Sequence, residues 1–160
     1  MFGRNFSCVF LTSCLFMAGV SATSLAYDAN SNAPVNVDGK GVALRGYDPI
    51  SYFSGKPVLG DDDYKFSFEG ATYFFANKDN LAKFKANPGQ YAPRFGGFCA
   101  QGVAKEKKID TDPLAYKIVD GYLFLTSKTA YKEWVVNVDG YVKQAYVRWP
   151  DIKNVPPKGL

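Results

Sequence analysis

The fold turns on Tyr64-Lys65-Phe66-Ser67-Phe68-Glu69-Gly70-Ala71-Thr72-Tyr73-Phe74-Phe75-Ala76-Asn77. Tyr64 to Phe68 alternates aromatic with polar side chains, the period of a strand that buries one face. Glu69-Gly70 is a turn dipeptide, and Ala71 to Ala76 reads as the return strand. Asn77 is a good helix cap, and the helix it opens carries Leu81, Phe84 and Lys85. Asn87-Pro88-Gly89 ends that helix, because the residue before a proline is pushed out of the helical region.

Working outward, a similar unit follows. Tyr116-Lys117-Ile118-Val119 leads through Asp120-Gly121 into Tyr122-Leu123-Phe124-Leu125-Thr126. Asp-Gly between apolar runs is a strong hairpin signal. Ser127 then caps a helix with Tyr131, Trp134, Val135 and Val138 at helical spacing. The two units share the order strand, turn glycine, strand, polar cap, helix, with a slip of one residue between them. Either a ββα duplication or a convergent pattern gives that order. Further on, Asp139-Gly140 is a place to break or restart the last helix. Tyr141, Val142, Ala145 and Trp149 would line its inner face, and Pro150 is expected to stop it. Upstream, Asp48 caps a short helix with Pro49 in its first position, and Gly55 supplies a left-handed stop. The predicted fold class is α+β: a compact single domain with two β-hairpins, each followed by a helix (ββα-like units), and a C-terminal helix. No βαβ pattern with a glycine fingerprint occurs, which excludes a dinucleotide fold.

The chain begins with Arg4, an apolar stretch from about Phe6 to Val20, and small residues at Ser24 and Ala26. That is the form of a signal peptide cleaved after Ala26, too short before Ser and Thr for a membrane span. Leu11-Thr12-Ser13-Cys14 has the form of a lipoprotein box, but apolar residues rather than a polar tether follow Cys14. The expected organisation is a signal peptide over 1–26, a flexible lead-in over 27–41, one domain over 42–152 and a Pro-rich tail over 153–160. The mature protein is then periplasmic or secreted, with no membrane span. The full chain carries 19 Lys and Arg against 15 Asp and Glu. Charges of both signs are mixed along it, with no basic block to suggest nucleic acid. Asp61-Asp62-Asp63 lacks the spacing of a calcium loop and reads as a solvated turn.

The chain has 3 cysteines and no histidine. With Cys8 and Cys14 in the leader, Cys99 is the one thiol of the mature domain. It sits in Phe95-Gly96-Gly97-Phe98-Cys99-Ala100, between aromatics and glycines. A lone cysteine cannot close an intrachain disulfide. Zinc and copper sites take several Cys or His ligands, so no cofactor is predicted; a transition metal would need ligands this domain does not supply. A thiol nucleophile commonly takes its base from histidine, so no catalytic residue is assigned. Arg94, Lys105 or a helix N-terminus remain as electrostatic activators. Gly96-Gly97 lets backbone approach a ligand closely. Phe95, Phe98, Tyr91 and Tyr47 supply flat walls, Arg94 a charged anchor, and Asp48 a carboxylate beside Tyr47. Cys99 with Phe95, Gly96, Gly97, Phe98, Tyr91, Arg94, Tyr47 and Asp48 is therefore the candidate binding set. The competing reading of Cys99 is core packing, and of Asp48 a helix cap.

Gly46-Tyr47-Asp48-Pro49-Ile50-Ser51-Tyr52-Phe53, Gly55-Lys56-Pro57-Val58, Gly70-Ala71-Thr72-Tyr73-Phe74-Phe75, Asn80, Phe84, Asn87-Pro88, Tyr91-Ala92-Pro93, Phe95 to Ala100, Ile118-Val119-Asp120-Gly121 and Trp149-Pro150 together resemble the YHS-domain family, in its exported single-domain branch. The resemblance runs from about Val42 to Ile152. It implies metal handling where short relatives are fused to heavy-metal-transporting ATPases and hydroxylases, yet this chain lacks their paired cysteines and has no histidine. The expected function is an exported binding module for a small ligand or a protein partner. The alternative is a thiol-dependent redox or metal-linked protein that uses Cys99.

Overall fold

A computed structural model describes residues 27–160. The expected leader, with Cys8, Cys14 and the cleavage position after Ala26, lies outside the described residues.

β1 (Asp61–Phe68) pairs antiparallel with β2 (Ala71–Phe75), placing Phe66 opposite Tyr73 and Phe68 opposite Ala71. Glu69 and Gly70 both have positive φ, 50° and 80°. That is the two-residue turn whose twist matches the strands it joins. The Asp61–Asp63 run is not a turn, as the sequence suggested, but the exposed start of β1, with a register shift between Asp61 and Lys65. The chain is already alongside β2 at Gly60, where a Cβ would lie 2.6 Å from the Phe75 nitrogen.

β3 (Tyr116–Val119) and β4 (Tyr122–Leu125) form the second hairpin, with Asp120 and Gly121 at φ 49° and 76°. β4 is a continuous apolar run because both its faces are covered. Leu123 and Leu125 join Tyr73, Phe75 and Phe84 in one core; Phe124 joins Phe95, Trp134 and Ala145 in another. The fold is thus α+β, with β4 standing between two cores.

α1 (Lys78–Ala86) is capped as expected: the Asn77 side chain accepts the Asn80 N–H at 2.9 Å. Its buried Phe84 is ringed by Phe66, Phe68, Tyr73 and Phe75, all at centroid distances of 5.1–6.3 Å. Such aromatic pairs add about 0.5–1.5 kcal/mol each beyond area burial. α2 (Pro88–Tyr91) and α3 (Ala100–Ala104) are short. The helix expected from Ser127 onward is only one turn, α4 (Tyr131–Trp134). The chain breaks there and restarts at Asn137, whose side chain accepts the Gly140 N–H at 3.1 Å and opens α5 (Val138–Ile152). A Cβ at Gly140 would lie 2.5 Å from the Asn137 amide, so a larger residue there would have to shift the capping side chain. α5 also continues past Pro150, where a stop was expected. The N–H that proline lacks belongs to the exposed face, where water can serve the Tyr146 carbonyl left behind.

Both ends of the described stretch are held. Val35 is buried, and Asn36 N–H donates to the Gly96 carbonyl at 2.8 Å. The Lys108 ammonium, buried, donates to the carbonyls of Ala33, Lys153 and Val155 at 2.9–3.0 Å. It also lies 4.7 Å from the Phe98 ring centroid. Lys158 N–H reaches the Ala29 carbonyl at 3.1 Å. The segments read as a flexible lead-in and a Pro-rich tail are fastened to the domain and to each other, because one buried cation gathers carbonyls from both.

Candidate functional site

Phe95, Gly96 and Gly97 form a left-handed turn, with φ of 56°, 60° and 79°, closed by Phe98 N–H on the Phe95 carbonyl at 3.1 Å. Gly96 is required here twice over. Its φ favours glycine, and a Cβ would overlap the Pro34 carbonyl oxygen and sit 2.8 Å from its carbon. Phe95 has no such licence. A side-chain-bearing residue in this region costs about 1–2 kcal/mol. Packing offsets it: the ring of Phe95 lies 5.6 Å from Phe124, 5.0 Å from Tyr146 and 5.9 Å from Trp149, measured between centroids.

The turn forms one wall of a cleft of about 490 Å³. Tyr146 and Trp149 of α5 face it, and Arg94, Glu69 and Lys153 supply charge. Arg94 sits over Tyr122, its guanidinium carbon 3.7 Å from the ring centroid. Its Nε is shut off from solvent and has no hydrogen-bond partner. The Tyr146 hydroxyl is raised above the usual tyrosine range, chiefly by burial, with the Arg94 charge pulling the other way.

The nine sequence-selected residues divide into three places. Arg94, Phe95 and Gly96 line the cleft. Gly97, Phe98 and Cys99 lie behind it in the core. Cys99 is 1 % exposed, its N–H donates to the Ile109 carbonyl at 3.0 Å, and its Sγ lies 3.2 Å from Thr126 Oγ1. The same sulfur accepts the Gly102 N–H at 3.4 Å, so Cys99 caps α3. Tyr47, Asp48 and Tyr91 are elsewhere again. Tyr91 packs edge-on to Phe53 at 5.2 Å with Lys83 over its ring, and Tyr47 bridges to Leu59.

Asp48 is wholly buried and works as a staple. One oxygen accepts the Ile50 N–H at 2.8 Å; the other accepts Ala76 N–H at 2.9 Å and Asn80 Nδ2 at 2.6 Å. It ties the chain before β1 to the end of β2 and the start of α1. Among the described residues, the one cluster of three possible metal-binding side chains is the exposed Asp61-Asp62-Asp63 group, far in sequence from Cys99. No described helix is long and apolar enough to cross a membrane.

Sequence reasoning missed Tyr146, Lys153 and Glu69 as cleft residues, and Lys108 as a buried charge. Trp149 was placed on the inner face of α5 but not in a site. Nothing in Lys105-Glu106-Lys107-Lys108 distinguishes the last lysine from a solvated one; its burial depends on chain ends that return from both directions.

No curated protein and no solved structure matches the chain. One family model does, the YHS domain, over residues 50–95. The matched stretch begins just behind the Asp48 staple, contains β1, β2, α1 and α2, and ends at Phe95 in the cleft wall; over these residues the chain matches a YHS domain.

Proposed function

We propose that this YHS-domain protein is an exported binding module that takes a small organic ligand in the cleft beside the Phe95-Gly96 turn. The observation that carries the reading is Arg94. A cation held against Tyr122 lines a cleft of ligand size with Phe95, Tyr146 and Trp149. Apolar walls with a few placed polar groups are the usual composition of a small-molecule site. Arg94 and Lys153 favour an acidic group on the ligand, and the aromatic walls favour a flat one. The buried, capping thiol of Cys99 lends no support to a redox or metal role. Export rests on the leader, with the mature chain beginning at Tyr27.

The test uses the protein purified from its own compartment. Native mass spectrometry should show a mature mass starting at Tyr27 and a small co-purifying ligand. Of the two tryptophans, Trp134 is buried in the core and Trp149 lines the cleft. Titration with benzoate should quench Trp149 fluorescence, and Arg94→Ala should weaken that response at least tenfold, about 1.4 kcal/mol. Absence of any co-purified ligand together with no response to benzoate, benzamide or benzylamine would refute the reading.

A further inference from the structure

We propose that the domain is a fused pair of related units set 51 residues apart, the family-matched stretch belonging to the first, and that the cleft is the junction between them. The left-handed residues carry this. Leu44 and Phe95, Arg45 and Gly96, Gly46 and Gly97, Gly55 and Glu106, Glu69 and Asp120, and Gly70 and Gly121 are six pairs, each separated by 51 positions, and every member has positive φ. Non-glycine residues rarely adopt this region, so a repeated series at constant spacing is not a product of composition.

The hydrogen bonds repeat at the same spacing. Tyr47 N–H donates to Leu44 O, and Phe98 N–H to Phe95 O, both at 3.1 Å. Asp48 N–H donates to Val58 O at 2.9 Å, and Cys99 N–H to Ile109 O at 3.0 Å. Gly55 N–H meets Tyr52 O, and Glu106 N–H meets Val103 O, both at 3.0 Å. The hairpins share their register: Lys65 faces Phe74 as Tyr116 faces Leu125, and Phe68 faces Ala71 as Val119 faces Tyr122. Even the glycine contacts agree. A Cβ on Gly46 would touch Phe74 at 3.6 Å, and one on Gly97 would touch its counterpart Leu125 at 3.7 Å.

Each unit therefore runs left-handed turn, capping residue, short helix, hairpin. Asp48 and Cys99 hold the same place in it. The carboxylate of Asp48 and the thiol of Cys99 each accept a backbone N–H of the helical turn that follows and reach a polar group beyond the second strand: Ala76 N–H and Asn80 in one unit, the Thr126 hydroxyl in the other. Cys99 is thus the counterpart of a structural cap. The cleft joins the first unit's hairpin tip, at Glu69, to the second unit's opening turn, at Arg94 and Phe95. Tyr146 and Trp149 of α5, outside both units, close the far wall. Over 42–76 laid on 93–127 the identical pairs are Gly46/Gly97, Lys56/Lys107, Asp61/Asp112 and Gly70/Gly121, which is why the second copy is hidden in the sequence. The pairing goes beyond the ligand reading and does not depend on it.

An experimental structure of the mature protein gives the first test. Residues 44–75 should superpose on 95–126 better at this spacing than one residue to either side; a better fit in another register overturns the proposal. Matched substitutions give the second. Gly70→Ala and Gly121→Ala add a methyl group where no neighbour is nearer than 3.4 Å, so both report backbone conformation. Both should lower the thermal midpoint by similar shifts, and Glu69→Gly should raise it. A Gly121→Ala protein as stable as the parent, beside a weakened Gly70→Ala protein, would show that the two turns are not equivalent.

Discussion

Gly96→Ala is the sharpest probe of the strained turn. The added methyl group has nowhere to go: it overlaps the Pro34 carbonyl oxygen and lies 2.9 Å from Val35 Cα. Both neighbours are backbone, so no side chain can rotate aside. Alanine at φ 60° costs about 1 kcal/mol before any clash. Relief of the clash requires Pro34 to Asn36 to move off the domain. That movement exposes Val35, worth about 1.5–3 kcal/mol, and breaks the Asn36–Gly96 hydrogen bond, worth about 1 kcal/mol. The expected loss is about 3–5 kcal/mol, which for a domain of this size lowers the midpoint by roughly 10–20 °C. Circular dichroism melts and urea titrations of the two proteins measure it directly. The control is Arg45→Ala, at the equivalent place in the first unit. There a side chain is already present at φ 51°, and only an exposed ion pair with Asp110 is lost, worth under about 1 kcal/mol. If Gly96→Ala melted within a few degrees of the parent, the docking of Pro34 on the turn would be wrong, and with it the account of why this glycine is needed.

Other substitutions separate packing from chemistry. Cys99 should react with a thiol reagent only when the protein unfolds; rapid modification of the native protein would contradict its burial. Cys99→Ser should change stability by about 1 kcal/mol or less, since a hydroxyl also caps α3, whereas Cys99→Val should cost about 2–3 kcal/mol by leaving Thr126 and the Gly102 N–H unpaired. Asp48→Asn turns an amide nitrogen toward donors and should cost about 2–3 kcal/mol in a urea titration, with an unchanged midpoint counting against the staple. Lys108→Met strands three carbonyls and should lower stability by about 2–4 kcal/mol while opening the 153–160 tail to proteolysis; a tail that stays protected would disprove the clamp.

What was legible in the sequence was local. The two hairpins follow from side-chain alternation around Glu69-Gly70 and Asp120-Gly121, and Asn77 announces its helix because its cap uses a residue three positions away. The misreadings arise where distant chain decides. Pro150 ends a helix in isolation, but here its missing donor faces water. Lys108 resembles any surface lysine until Ala33, Lys153 and Val155 meet it. Burial holds its ammonium below the ordinary lysine range. The site was half legible for the same reason. Arg94, Phe95 and Gly96 are contiguous and were found together, but the opposite wall, Tyr146 and Trp149, comes from a helix one unit away in sequence.

The place of Cys99 follows from this distinction between local and distant causes. In the sequence it is conspicuous: a single thiol among glycines and aromatics, in a domain without histidine. In the fold its surroundings are those of Asp48, a structural cap: a left-handed turn before it, a short helix after it, and a polar contact beyond the second strand. The glycines that drew attention to the thiol serve the turn. Gly97 lets the chain pass Pro93 and Leu125, as Gly46 lets it pass Phe74. Of the segment, Phe95 and Gly96 reach the cleft with Arg94, and Phe95 stands in a strained conformation held by Tyr146 and Trp149. Strain of this kind persists only where its surroundings over-determine it. The proposed ligand site therefore lies one turn ahead of the cysteine, where Arg94 stands against Tyr122.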